Sequence, residues 1–286
     1  MKKSSLLAIS VLLIFASLTA GAQNSTFNSV DGDDDDRPRD FVAPKVFQAA
    51  GPTAASIQSA VDEYRGALGQ INNGNLTSQA SGRREINWDG GGSNATTAPV
   101  TPFNVFLNTR GSQFTTPGVG LTQAPPSGGP QGGLAALFNN ATYATIFRAF
   151  SPLRLFVPVG SNLTEAQFFL PGSNGSAAAK VTGFGAIFTD VDEPNGSGPG
   201  DKHGNRHAST KIEYFNAEGR LIYSSLVPAS PGDGNLSFFG IIFEDARIAR
   251  VRITTGNVAL GPDDGRKQDV VAMDDFIYGE PQPLFP

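Results

Sequence analysis

The residues best placed for chemistry are carboxylates at the ends and middles of apolar runs. Asp190, Asp192 and Glu193 close the run Lys180-Val-Thr-Gly-Phe-Gly-Ala-Ile-Phe-Thr189. On a strand, Asp190 and Asp192 share one side of the pleat, where two like charges repel unless a cation or water lies between them. An all-oxygen donor set of this kind suits Ca²⁺. Asp274 and Asp275 interrupt a second run, Val270-Val-Ala-Met-Asp-Asp-Phe-Ile-Tyr278. Neighbouring strand residues point to opposite faces, so one of the pair must face inward unless the strand is an edge or is bulged there. A buried carboxylate needs a metal or an arginine beside it, and Arg250 and Arg252 are candidate partners.

A third cluster is Arg84-Glu-Ile-Asn-Trp-Asp89, which holds the only tryptophan of the chain. Trp88 flanked by Asn87 and Asp89, with Arg84 nearby, has the residue types that stack on a sugar face and hydrogen-bond its hydroxyls. The competing reading places a lone Trp on an alternating strand in the core. His203 and His207 stand four apart in a Gly-containing loop, a spacing that aligns two imidazoles only on a helix, so zinc is not indicated. No nucleophile elbow, phosphate loop or dinucleotide fingerprint is present.

The elements that must carry these groups read as strands. Thr210 to Phe215 and Arg220 to Val227 flank Asn216-Ala-Glu-Gly219, a hairpin with Gly in the positive-φ position. Arg247 to Thr255 alternates, with Ala249, Val251 and Ile253 on one face and Arg250, Arg252 and Thr254 on the other. Further strands are expected at Arg84–Trp88, Phe103–Leu107, Gln113–Thr115, Ile146–Phe150, Leu153–Val157, Glu165–Leu170, Ser237–Glu244 and Asp269–Tyr278. The tract Pro117 to Gly133 reads as an exposed loop. One amphipathic helix spans Thr53 to Leu68, with Ile57, Ala60, Val61, Tyr64 and Leu68 on one face. Short strands without βαβ alternation predict an all-β fold, an antiparallel two-sheet, jelly-roll-like β-sandwich preceded by one short amphipathic helix.

Composition narrows the setting. Gly 34 and Pro 20 make the chain rich in turns, and Cys 0 excludes disulfides and thiolate metal sites. Lys2-Lys3, the apolar stretch Leu6 to Leu18 and Ala20-Gly-Ala22 read as a signal peptide over residues 1–22, predicting a secreted protein. An acidic, disordered leader follows at 23–44, built on Asp31-Gly-Asp-Asp-Asp-Asp36. A helical segment at 45–80 docked on a β-sandwich domain at 81–281 completes the expected organisation. With 21 basic against 26 acidic residues the chain is acidic. That disfavours nucleic acid and anionic membranes as partners. Eight Asn-x-Ser/Thr triplets, Asn24 to Asn235, read as turn chemistry and as glycan acceptors where a host glycosylates.

The motifs Gly82-Arg-Arg-Glu-Ile-Asn-Trp-Asp-Gly90, Val181-Thr-Gly-Phe-Gly-Ala-Ile-Phe-Thr-Asp-Val-Asp192 and Asp274-Asp-Phe-Ile-Tyr-Gly-Glu280 resemble those of a group of secreted, largely uncharacterised bacterial β-sandwich proteins. At fold level the C-terminal half is similar to galactose-binding-like jelly rolls used as carbohydrate-binding modules. That resemblance implies an extracellular polysaccharide or glycan as partner. It also implies a structural Ca²⁺ joining the first and last strands through Glu85 or Asp89 and Asp274 or Asp275. The expected function is non-catalytic carbohydrate binding; the alternatives are a matrix or adhesive protein and a polysaccharide hydrolase or lyase.

Overall fold

The computed structural model describes residues 43–192, 210–265 and 268–285. Its elements in chain order are β1 (Lys45–Gly51), α1 (Ala54–Leu68), β2 (Arg83–Ile86), α2 (Leu107–Arg110), β3 (Ser112–Thr115), β4 (Gly120–Ala124), α3 (Gly133–Leu137) and α4 (Tyr143–Ile146). There follow β5 (Leu155–Val159), β6 (Leu163–Phe168), β7 (Ala179–Lys180), β8 (Gly183–Thr189), β9 (Lys211–Phe215) and β10 (Leu221–Leu226). The last are β11 (Leu236–Ile242), β12 (Arg250–Thr254), β13 (Ala272–Gly279) and β14 (Gln282–Pro283). The signal peptide, nearly all of the acidic leader, Glu193, His203 and His207 lie outside the described residues. Among the described residues no helix is long and apolar enough to cross a membrane.

Two antiparallel sheets carry the fold. One runs β1-β11-β8-β13-β5-β4, with β2 also paired to β13; the other runs β10-β9-β12-β6-β3. Phe156, Phe184, Phe188, Ile241 and Phe276 of the first share one core cluster with Phe114, Phe168, Ile212, Val251 and Ile253 of the second. The expected mostly-β fold with antiparallel sheets is what the chain adopts.

The sheets differ because their outer faces differ. β12 alternates half-buried and buried residues, as a sheet with one solvated face should. Every residue of β8 and β13 is buried, because helices cover the far side of that sheet. Ile57, Val61 and Tyr64 of α1 pack there on Ile187, Phe238 and Ile277. Tyr143 and Ile146 of α4 pack with Leu155, Val157 and Ala272 further along it. Gly185 and Gly240 make this docking fit: a Cβ on either would stand 2.9–3.0 Å from the Tyr64 ring. Tyr64 completes the seat by donating its hydroxyl to the Ile241 carbonyl at 3.2 Å.

Several local expectations change. Residues 45–51 form an edge strand in register with β11, so the N-terminal segment is part of the sheet as well as helical. Only Phe47 and the half-buried Ala49 and Gly51 mark its inward face, too faint an alternation to read in advance. The Pro117–Gly133 tract contains β4, wholly buried and paired with β5 from Gly120 to Ala124. Its Leu121 enters the core, which the surrounding Gly and Pro obscured. Phe103 makes a single bridge to Phe114, and the chain then turns into α2, which ends at Gly111 with φ 69°. Ile146 closes α4 rather than opening a strand; the Asn140 carboxamide oxygen accepts from the Thr142 backbone N–H at the start of that turn. The β9–β10 hairpin does turn at Gly219, with φ 76°. Its register slips between Leu221 and Tyr223.

Candidate functional site: a polar cleft beside a bulged strand

β13 is bulged where its two aspartates fall. The pairing with β8 shifts between Met273 and Phe276. Met273 and Phe276 both belong to the inter-sheet core. Three residues apart, they could not share a face without the extra residue of a bulge. Asp274 and Asp275 meet groups on the helix-covered side instead. Asp274 accepts from the Phe150 N–H at 2.5 Å, and Asp275 accepts from the Ser151 hydroxyl at 2.6 Å. Arg65 of α1 reaches Asp275 at 3.5 Å and Glu85 of β2 at 2.9 Å.

Burial, followed by the neighbouring Asp275, pushes the Asp274 carboxyl well above the usual carboxylate range. Burial also raises Asp275, against the opposing pull of Ser151, Asp274 and Arg65. Both shifts favour the protonated form, Asp274 the more strongly, and Asp275 is the member of the pair that faces Arg65. Met-Asp-Asp-Phe thus places two neighbouring carboxyl groups on one face, held by a backbone amide, a hydroxyl and a guanidinium. Arg250 and Arg252 serve elsewhere, both bound to Glu165 across the other sheet.

Above this arrangement opens a cleft of about 330 Å³ lined by Arg65, Asn72, Glu85, Asn87, Arg110, Phe150, Ser151 and Asp275. Polar donors and acceptors dominate its wall, and it falls at the lower end of the size range of small-molecule sites. Asn87 is exposed at its edge, with its amide 3.1 Å from Asp89. Arg110 projects from the last turn of α2, Nη1 donating to the Asn73 carbonyl at 2.6 Å.

The residues expected to bind sugar separate. Asn87 lines the cleft, whereas Trp88 and Arg84 are both 0% exposed. Trp88 stacks on Phe156, with ring centroids 3.8 Å apart and planes 2° apart, and meets Phe103, Phe106, Phe114 and Phe276 edge-on. It has no face left for a ligand, which corrects the stacking role expected of it. Arg84 forms a two-pronged pair with Glu280, both contacts at 2.8 Å, and caps the carbonyls of Asn75, Thr77 and Thr109. It is a clamp between β2, the end of β13 and the loop at 72–79.

The carboxylates expected to hold calcium at the seam are engaged with protein groups. Glu85 and Asp275 do come together, but around the Arg65 guanidinium. Asp89 caps the chain at Leu153 and Arg154, accepting from both backbone N–H groups. Asp274 is committed to Phe150. Among the described residues no three carboxylates or imidazoles are grouped so that they could hold a metal.

Asp190 lies away from the cleft, at the end of β8. It is 1% exposed, adopts φ 72°, and its Oδ2 has no hydrogen-bond partner. Burial first, then Asp264, Asp192, Asp269 and Asp233, push its carboxyl up to about 9. Asp192 turns outward and accepts from the Gly232 N–H at 2.9 Å. At neutral pH a proton on Asp190 relieves the repulsion that the sequence assigned to a cation.

Arg65, Asn72, Arg110 and Ser151 were not marked by the sequence. Arg65 sits on an ordinary amphipathic helix, and Ser151 precedes a proline in what reads as a strand end; nothing local connects either to β13. No family model, curated protein or solved structure matches the chain.

Proposed function

We propose that the protein is a secreted, non-catalytic jelly-roll-like β-sandwich that binds the hydroxyl-rich end of an extracellular polysaccharide in the cleft beside β13. One observation carries the reading: Asn72, Asn87, Arg65, Glu85, Ser151 and Asp275 converge on a small polar hollow held by sheet and helix. Amide, guanidinium, hydroxyl and carboxylate groups together match the alternating donors and acceptors of a sugar ring. Because Arg65, Glu85, Asn87, Ser151 and Asp275 are each held by a neighbouring side chain, little ordering of these groups remains to be done on binding.

The strand order supports the finer description. β8 lies between β11 and β13, and β12 between β6 and β9, so hydrogen-bonded neighbours come from distant parts of the chain. The leader Lys2 to Ala22 supports export. Against catalysis stands the placement of Asp274, which is 0% exposed and out of reach of a substrate bond.

A polysaccharide pull-down followed by calorimetry on soluble oligosaccharides tests the reading. Wild type should bind, and Asn87→Ala should weaken binding about tenfold, the loss of about 1.4 kcal/mol in polar contacts. Asn87 is exposed, so this variant folds. Failure of wild type to bind across a broad panel refutes the reading.

A further inference from the structure

The cleft holds two arginines in different electrostatic situations, and the difference names a ligand class. Resting on the carbohydrate-binding reading above, we propose that the cleft selects an acidic saccharide, whose oxyanion pairs with Arg110. Arg65 is saturated, since Asp62, Glu85 and Asp275 all lie within 3.5 Å of its guanidinium. Glu85 takes a second cation in Arg83, at 2.5 Å. The carboxylates of the wall are thus already matched inside the protein.

Arg110 is not. Its guanidinium has one side-chain hydrogen bond, to the neutral carbonyl of Asn73 at 2.6 Å, and forms no ion pair among the described residues. Its backbone is fixed, because the Tyr278 hydroxyl donates to its carbonyl at 3.0 Å and α2 closes on Gly111 just beyond. A half-buried guanidinium, positioned and without a counter-charge among the described residues, presents a planar fork of donors to the cleft. The partners that match this fork are a carboxylate, bound through two parallel hydrogen bonds, or a sulfate. In a saccharide these are the C6 carboxylate of a uronic acid and a sulfate ester. Asn72 and Asn87 remain for the neighbouring hydroxyls. The chain carries a net charge of −5, so a polyanion gains nothing from general attraction, and preference for one has to come from a local site.

The test is calorimetry of the full secreted chain with matched oligosaccharides: oligogalacturonate, a sulfated galactan oligomer and the neutral galactan. At least one acidic oligomer should bind about tenfold or more tightly than the neutral one. Arg110→Gln should erase that preference by weakening acidic binding far more than neutral binding, and Arg110→Lys should restore part of it. A melting curve for each variant verifies the fold, and Arg110→Lys keeps the test open if Gln disturbs the loop at Asn73. The oligomer that loses most in Arg110→Gln identifies carboxylate or sulfate as the source. Equal binding of neutral and acidic oligomers, or an acidic preference that survives Arg110→Gln, overturns the inference and leaves the carbohydrate reading standing. Binding of none of the three removes both.

Discussion

Arg65 and Asp275 lie 3.5 Å apart although 210 residues separate them in the chain. Their meeting requires two independent events: α1 must dock on the outer face of the first sheet, and β13 must bulge so that Asp275 turns toward it. The cleft is a consequence of both. Its position is therefore a property of the fold and not of any short motif.

The docking can be tested at the glycines under α1. Gly240→Ala should destabilise the protein by about 1–3 kcal/mol, the usual cost of overpacking, since its Cβ would meet the Tyr64 ring at 3.0 Å. Urea unfolding should show the loss. The double variant with Tyr64→Leu should lose less than the two single variants summed.

The Arg84–Glu280 pair should behave as structure and not as a binding site. Arg84→Ala leaves a buried carboxylate uncompensated and should cost about 3–5 kcal/mol. Glycan affinity of the fraction that remains folded should be unchanged. A normal melting curve combined with lost binding would reverse this assignment.

Trp88 should report on the core. As the only indole, 0% exposed, it should show blue-shifted emission that acrylamide quenches poorly and that saccharide leaves unaltered. Trp88→Ala should cost about 3–5 kcal/mol in the same unfolding assay. Strong ligand quenching would place the sugar on the indole after all.

Asp190 sets a pH dependence of definite sign. Its carboxyl is pushed from about 4 in the unfolded chain up to about 9 in the fold. Between those values the folded state holds the extra proton, so stability falls as pH rises through the window and levels off above it. The carboxylates facing it, Asp264, Asp192, Asp269 and Asp233, act in the same direction. Asp190→Asn should flatten the decline in melting temperature between pH 5 and 8. A rise in melting temperature with added calcium at pH 8, absent in Asp190→Asn, would instead put an ion where the proton is assigned.

What could be read from the sequence follows physical range. The alternation of Val251 and Ile253 with Arg250 and Arg252, the apolar stripe of α1 and the turn at Gly219 are local, and each matches the observed element. The conflict posed by adjacent Asp274 and Asp275 was also legible, and so was the possibility of a bulge. Its resolution by Arg65 was not, because the partner lies on a helix whose register against the sheet is set by Tyr64, Gly185 and Gly240. Trp88 shows the same limit. Its polar neighbours left a sugar-stacking reading and a core reading open, and the ring stacks on Phe156 in the core. β4 hid within a Gly/Pro tract because the residues that bury it belong to β5 and the opposing sheet.

The most direct measurement is amide hydrogen exchange of the protein alone and saturated with a bound oligosaccharide. Slowed exchange should concentrate at Asn87, Ser151 and their immediate neighbours, with the far sheet at β9 and β10 unchanged. Protection confined elsewhere, for example to the separate hollow of about 390 Å³ between Pro125–Ser127 and Phe147–Ala149, would contradict the assignment of the cleft.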